Sequence, residues 1–138
     1  MKIFKSLALL TFTLFLVTGC GNTLKCSKES EKSSYKEKET ITIKWSKDKV
    51  TNFDTVTEMT FEDKDAAKSY YDTYSSVFEL LDGTEGIENK HNLSGNKIKH
   101  TVKINAKKMT EGMQDLYLSE QSKKDAKTSF EDSGYKCN

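Results

Sequence analysis

Three hydrophobic regimes follow one another along the chain. Residues 7–17 form an apolar stretch of eleven, well short of the roughly 20 residues a membrane-spanning helix needs. Residues 27–38 hold one aromatic, Tyr35, among Ser, Lys and Glu. So polar a stretch cannot bury enough surface to offset its ordering entropy, and a flexible tether is expected there. From Glu39 the pattern turns periodic. Ile41, Ile43 and Trp45 alternate with Thr42 and Lys44, which predicts a half-buried strand. Residues 46–49 read as a turn and 50–61 as a second strand. Its phase slips, with Phe53, Met59 and Phe61 on one side and Val50 and Val56 on the other. A bulge near residues 52–54 reconciles them.

Asp63 is placed to cap a helix over about residues 64–81, because Ala67, Tyr70, Tyr71, Tyr74, Val77, Phe78 and Leu81 recur at helical spacing before Asp82-Gly83. Residues 87–93 and 97–106 flank Ser94-Gly95-Asn96, a hairpin signal. A two-residue Gly95-Asn96 turn sets Leu93 against Ile98, Ile87 against Ile104 and Glu88 against Lys103. Apolar then meets apolar and opposite charges meet, which supports the register. Shorter helical pieces are expected over about 110–118, and over about 122–132 with Ser122 as cap, Ala126 and Phe130 buried and Gly134 as the stop. The order ββαββα predicts an α+β domain at residues 39–138, a four-stranded mostly antiparallel sheet with helices packed on one face.

The opening twenty residues carry an address. Lys2 and Lys5 precede the apolar stretch, no acid occurs before Glu29, and the stretch ends in Val17-Thr18-Gly19-Cys20. The first features match a secretory signal peptide. The closing tetrapeptide resembles the bacterial lipobox, with Val17 where Leu is usual. That resemblance implies cleavage between Gly19 and Cys20 and a diacylglyceryl group on the Cys20 thiol. It divides the chain into a signal peptide at 1–19, a lipidated N-terminus and tether at 20–38, and the domain. An ordinary secretory signal with an unrelated cysteine is the alternative. Two or three acyl chains hold a protein stably on a membrane, where one is marginal. The expected location is the extracytoplasmic face of the cell membrane, with palmitate-type acyl chains as the anchor.

Cleavage before Cys20 leaves 119 of the 138 residues, enough for one domain. That part carries 20 lysines against 21 acids, so no basic excess points to nucleic acid. All 22 basic residues are lysine, and arginine and proline are absent. We read this as the codon bias of an AT-rich genome. Without arginine there is no bidentate fork for phosphate groups, which weighs against a nucleotide-handling enzyme. Cys26 and Cys137 remain once Cys20 is set aside; they are expected to pair outside the cytoplasm, the alternative being two free thiols.

His91 and His100, the two histidines of the chain, face each other in the hairpin register. Two opposed imidazoles could share a zinc or copper ion, although no nearby spacing supplies a third ligand. The other reading is that both rings pack at the sheet margin. The Tyr70, Tyr71 and Tyr74 stripe could line a ligand groove, with core packing as the leading role. No Gly-rich phosphate loop, GxSxG, CxxC or HExxH occurs.

Residues 41–61, the Ala66-Ala67-Lys68-Ser69-Tyr70-Tyr71 segment, residues 95–104 and the closing Glu131-Asp132-Ser133-Gly134-Tyr135-Lys136-Cys137, taken with the lipobox, are similar to the YehR-like family of small bacterial lipoproteins. The resemblance covers residues 39–137 and implies no assigned activity. The expected function is a membrane-anchored, non-catalytic binding or interaction module that contacts an envelope protein or ligand, with no nucleic acid partner. The alternative is a small-ligand or metal-binding lipoprotein that uses the sheet face around His91 and His100.

Overall fold

The computed structural model describes residues 22–118 and 121–138. The signal segment, Gly19 and Cys20 lie outside the described residues. Among the described residues six strands form one sheet: β1 (Thr23–Glu31), β2 (Tyr35–Ser46), β3 (Lys49–Phe61), β4 (Ile87–Ser94), β5 (Lys97–Asn105) and β6 (Lys136–Cys137). Three helices, α1 (Lys64–Phe78), α2 (Glu111–Tyr117) and α3 (Lys123–Asp132), accompany them. Strand order is β4-β5-β3-β2-β1-β6, and every pairing is antiparallel.

This overturns the four-stranded ββαββα expectation, although the coarser α+β class remains consistent. The missing strands come from the stretch read as a flexible tether and from the last residues. Residues 27–38 complete β1 and begin β2, which pair over nine positions from Thr23↔Lys44 to Glu31↔Lys36. Low apolar content does not leave this ribbon unfolded, because neither of its ends stands alone. Leu24 and Cys26 are each 1% exposed and join Ile41, Ile43 and Trp45 in one core. Farther along, the ladder itself satisfies the backbone, and its side chains alternate in charge. Lys38 stands 3.4 Å from Glu29, and Lys36 stands 3.5 Å from Glu31. Such exposed pairs contribute little individually, but they favour one register over its neighbours. β6 is fixed by the Cys26–Cys137 disulfide and by two backbone bonds with Lys25: Asn138 N–H donates to Lys25 O (3.0 Å), and Lys25 N–H donates to Asn138 O (3.3 Å).

The two faces of the sheet differ completely. Register places Leu24, Ile41, Ile43, Phe53, Met59, Phe61, Ile98 and Ile104 on one side. Two apolar cores lie there. Ala126 and Phe130 of α3 pack on the β1–β2 end, while Ala67, Tyr70, Tyr71 and Phe78 of α1 pack on Met59, Phe61 and Ile98. The opposite face is Lys, Glu, Asp, Asn, Ser and Thr, with Val56 as the apolar exception. The register slip falls at Thr51, since Lys44 pairs with Asn52 and Trp45 with Val50. That is one residue earlier than expected. It returns Val50 to the core side and leaves Val56 on the polar face.

The remaining local signals hold. The Asp63 carboxylate accepts from Asp65 N–H and Ala66 N–H, capping α1, and Ser122 Oγ accepts from Asp125 N–H to cap α3. α1 gives way at Glu79–Leu81 to a 3-10 turn. Gly95 takes φ +59°, the left-handed conformation its tight turn requires. Among the described residues no helix is long and apolar enough to cross a membrane.

Candidate functional site

The β4–β5 hairpin adopts the expected register, with Ile87↔Ile104, Glu88↔Lys103, His91↔His100 and Leu93↔Ile98. Both histidines project from the core side, beneath the C-terminal half of α1. Phe78 is their common neighbour, its ring centre 4.8 Å from that of His100 and 5.6 Å from that of His91; Tyr71 covers His91 at 5.6 Å. The imidazoles stand edge to face, 6.5 Å apart.

Hydrogen bonding orients one ring. Asn89 Nδ2 donates to Asp82 Oδ1 (2.7 Å) and to the Phe78 carbonyl, which leaves Asn89 Oδ1 to accept from His100 Nε2–H at 2.7 Å. Burial holds the His100 pKa below its ordinary value; the neighbouring His91 adds to the effect and Asp82 opposes it. His91 Nε2 lies 3.9 Å from Glu79 Oε1, and its Nδ1 is buried without a hydrogen-bond partner. The structure therefore brings together the two residues proposed for metal binding. Among the described residues, however, no group of three or more His, Cys, Asp or Glu is arranged to hold a metal ion. The pair offers imidazole nitrogens under an aromatic lid, with Asn89 occupying one of them.

Cys26 and Cys137 form the expected disulfide, which removes both described thiols from nucleophilic chemistry. The tyrosine stripe divides. Tyr70 packs edge to face on Tyr35 and lies over Phe61, so it serves the core, whereas Tyr74 is exposed. Tyr74, Val77 and Leu80 make an apolar strip on the outer side of α1 and its 3-10 extension, with Leu80 76% exposed.

Residues assigned to the tether line two further features. On the polar face a groove of about 610 Å³ runs over Glu29, Lys38, Glu58 and Lys99. These four are successive partners across β1, β2, β3 and β5, so charge alternates along the row. On the helix side, Tyr135 O–H donates to Glu39 Oε2, and Lys28 Nζ donates to Ser133 O at 2.7 Å. Burial, with the Glu39 hydrogen bond second, pushes the Tyr135 hydroxyl up to about 12. The alternation of Leu24 and Cys26 with Thr23 and Lys25 was the signal that could have placed these residues on a strand.

The chain matches no family model, no curated protein and no solved structure.

Proposed function

We propose that the chain is a membrane-anchored extracytoplasmic lipoprotein, acylated at Cys20, that acts as a non-catalytic interaction module for a protein of the cell envelope. The resemblance to YehR-like lipoproteins belongs to the same proposal. The observation that carries the interaction reading is the strip Tyr74, Val77 and Leu80, the large hydrophobic side chains that stand exposed among the described residues. Val77 and Leu80 are more than half exposed, Tyr74 leans on Tyr70 with its outer part open, and apolar surface left open in this way marks a protein contact. The polar face is a weaker candidate, because its lysines and glutamates already neutralise one another across the strands. The disulfide supports the location, since such bonds persist outside the reducing cytoplasm.

A photo-crosslinking amino acid at Val77, compared with one at exposed Thr128 on α3, tests the strip in intact cells. A discrete adduct from position 77 alone is the expected outcome, and identical patterns from both positions would remove the reading. Labelling with a palmitate analogue tests the anchor; incorporation that persists in Cys20→Ser would remove that part.

The second reading is a small ligand or metal at the histidine pair, and the unpartnered His91 Nδ1 favours it. Zinc titration of the protein should then release heat that disappears in His91→Ala. No His91-dependent heat at micromolar zinc ends it.

A further inference from the structure

The first described residue leaves little slack between the fold and Cys20. Asn22 O accepts from Trp45 N–H at 2.8 Å, and Thr23 already pairs with Lys44. One residue spans at most about 3.6 Å of chain, so Asn22 lies within roughly 7 Å of residue 20. An acyl group on Cys20 therefore brings one end of the sheet onto the lipid headgroups, and no tether lifts the domain away.

That end is defined by strand direction. The start of β1, the β2–β3 turn and the segment after β5 all lie there, as Thr23↔Lys44, Ser46↔Lys49 and Asn52↔Asn105 require. The N-terminus of α3 joins them, because the Trp45 indole N–H donates to Gln121 O at 2.8 Å. Exposed Lys44, Lys47, Lys49, Lys107, Lys108 and Lys124 crowd this end. The acids around them are Asp48, Asp54, Glu85, Glu88, Glu111, Asp115 and Asp125, the last tied to the Ser122 cap at 2.7 Å, and Lys25, Lys103 and Lys123 lie at the same end, so lysines exceed acids there by nine to seven. At the opposite end, Glu31, Glu62, Asp63 and Asp65 are matched one for one by Lys32, Lys36, Lys64 and Lys97, with Lys36 standing 3.5 Å from Glu31. The near balance of 20 lysines against 21 acids after residue 19 thus conceals a local lysine excess at the end nearest Cys20.

We propose that the lysine end around Lys44, Lys47, Lys107 and Lys108 docks on an anionic lipid surface, so that the strands stand upright on the membrane. The proposal rests on acylation of Cys20 for its geometry. Charge complementarity supports it, because the Debye length is about 8 Å at physiological ionic strength and the short connection keeps this end within that range. The charge-balanced end then points outward, and the strip on α1 stays accessible from the side.

Trp45, the chain's one tryptophan, sits at the docking end and serves as the probe. The full acylated chain is reconstituted on phosphatidylcholine vesicles with and without about 30% phosphatidylglycerol, which gives the surface a negative potential, both carrying a headgroup nitroxide quencher. Stronger Trp45 quenching in the phosphatidylglycerol vesicles, lost in Lys44→Gln/Lys47→Gln/Lys107→Gln/Lys108→Gln, is the expected result. A chain that floats with the vesicles but shows equal quenching in both compositions overturns docking and leaves the anchor standing. A chain that fails to float overturns the anchor instead. The full chain with Cys20→Ser is then sedimented with the same phosphatidylglycerol vesicles. Binding that falls roughly fivefold for each lysine removed sustains the docking surface, and absence of binding overturns it. Lysine-dependent binding to heparin without any to vesicles overturns the assignment to lipid.

Discussion

Replacing Cys26 and Cys137 together by alanine removes a bond that spans 111 residues of sequence. In the chain-entropy relation, a cross-link of that span disfavours the unfolded chain by about 4.8 kcal/mol at 25 °C. Measured disulfides commonly deliver less, about 2–4 kcal/mol. On the folded side Cys26 is 1% exposed, so losing its sulfur leaves a small void that adds about 1 kcal/mol. The expected loss is about 3–5 kcal/mol, a large part of the roughly 5–15 kcal/mol that holds an ordinary domain. Guanidinium unfolding followed by Trp45 fluorescence measures it. The slope of stability with denaturant should also rise, because an uncrosslinked unfolded chain exposes more surface. A loss below about 1 kcal/mol with an unchanged slope would refute the entropic argument. The β1–β6 backbone bonds would then be holding the chain ends together without help.

Leu24→Ala distinguishes a strand from a tether: full burial predicts a loss of about 2–5 kcal/mol in urea unfolding, against almost none for a solvated linker. Asp63→Ala should cost about 1 kcal/mol by removing the acceptor for two backbone N–H groups of α1, read from the same transition. Gly86→Ala should cost about 2 kcal/mol or more, because Gly86 has φ +83° and its added Cβ would overlap Met109 Cγ and stand 3.0 Å from the Asn105 carbonyl oxygen. The fourth outcome concerns pH. The folded-state pKa of His100 lies below its ordinary value of 6.5, so near pH 6 the unfolded chain holds more protons and stability falls as the solution is acidified. The contribution is complete above about pH 6.5 and is lost as pH drops through the lowered folded value. Thermal melts should therefore show wild type losing its advantage over His100→Gln between pH 7 and pH 5; a constant gap would contradict this.

The sequence disclosed the hairpin down to single residue pairs because two independent patterns agreed there. Apolar residues met on one face, opposite charges met on the other, and Gly95 set the turn. Asp63 and Ser122 announced their helices by side-chain chemistry alone. β1 and the start of β2 were hidden because the tether reading weighed composition, whereas the strand is stabilised by partners. Leu24 and Cys26 bury themselves against Ile41 and Ile43, and the remainder is carried by hydrogen bonds to a neighbouring strand. β6 is two residues long and owes its position to one covalent bond and to Lys25, a length at which periodicity carries no signal. The histidine pairing was legible from the turn. Phe78 as its lid and Asn89 as its hydrogen-bond partner were not, since both depend on how α1 crosses the hairpin. The lysine end was invisible for a similar reason, because its residues lie far apart in sequence and meet only where the strands end.

Among the described residues the first strand lies next to the last. A polypeptide released N-terminus first presents β1 as a bare edge, its Cys26 thiol unpaired, until Cys137 arrives 111 residues later. Any other thiol encountered in that interval competes for it. Completion of the sheet is thus timed by the arrival of Cys137, and loss of residues 137–138 would leave behind both an open β-edge and a reactive sulfur.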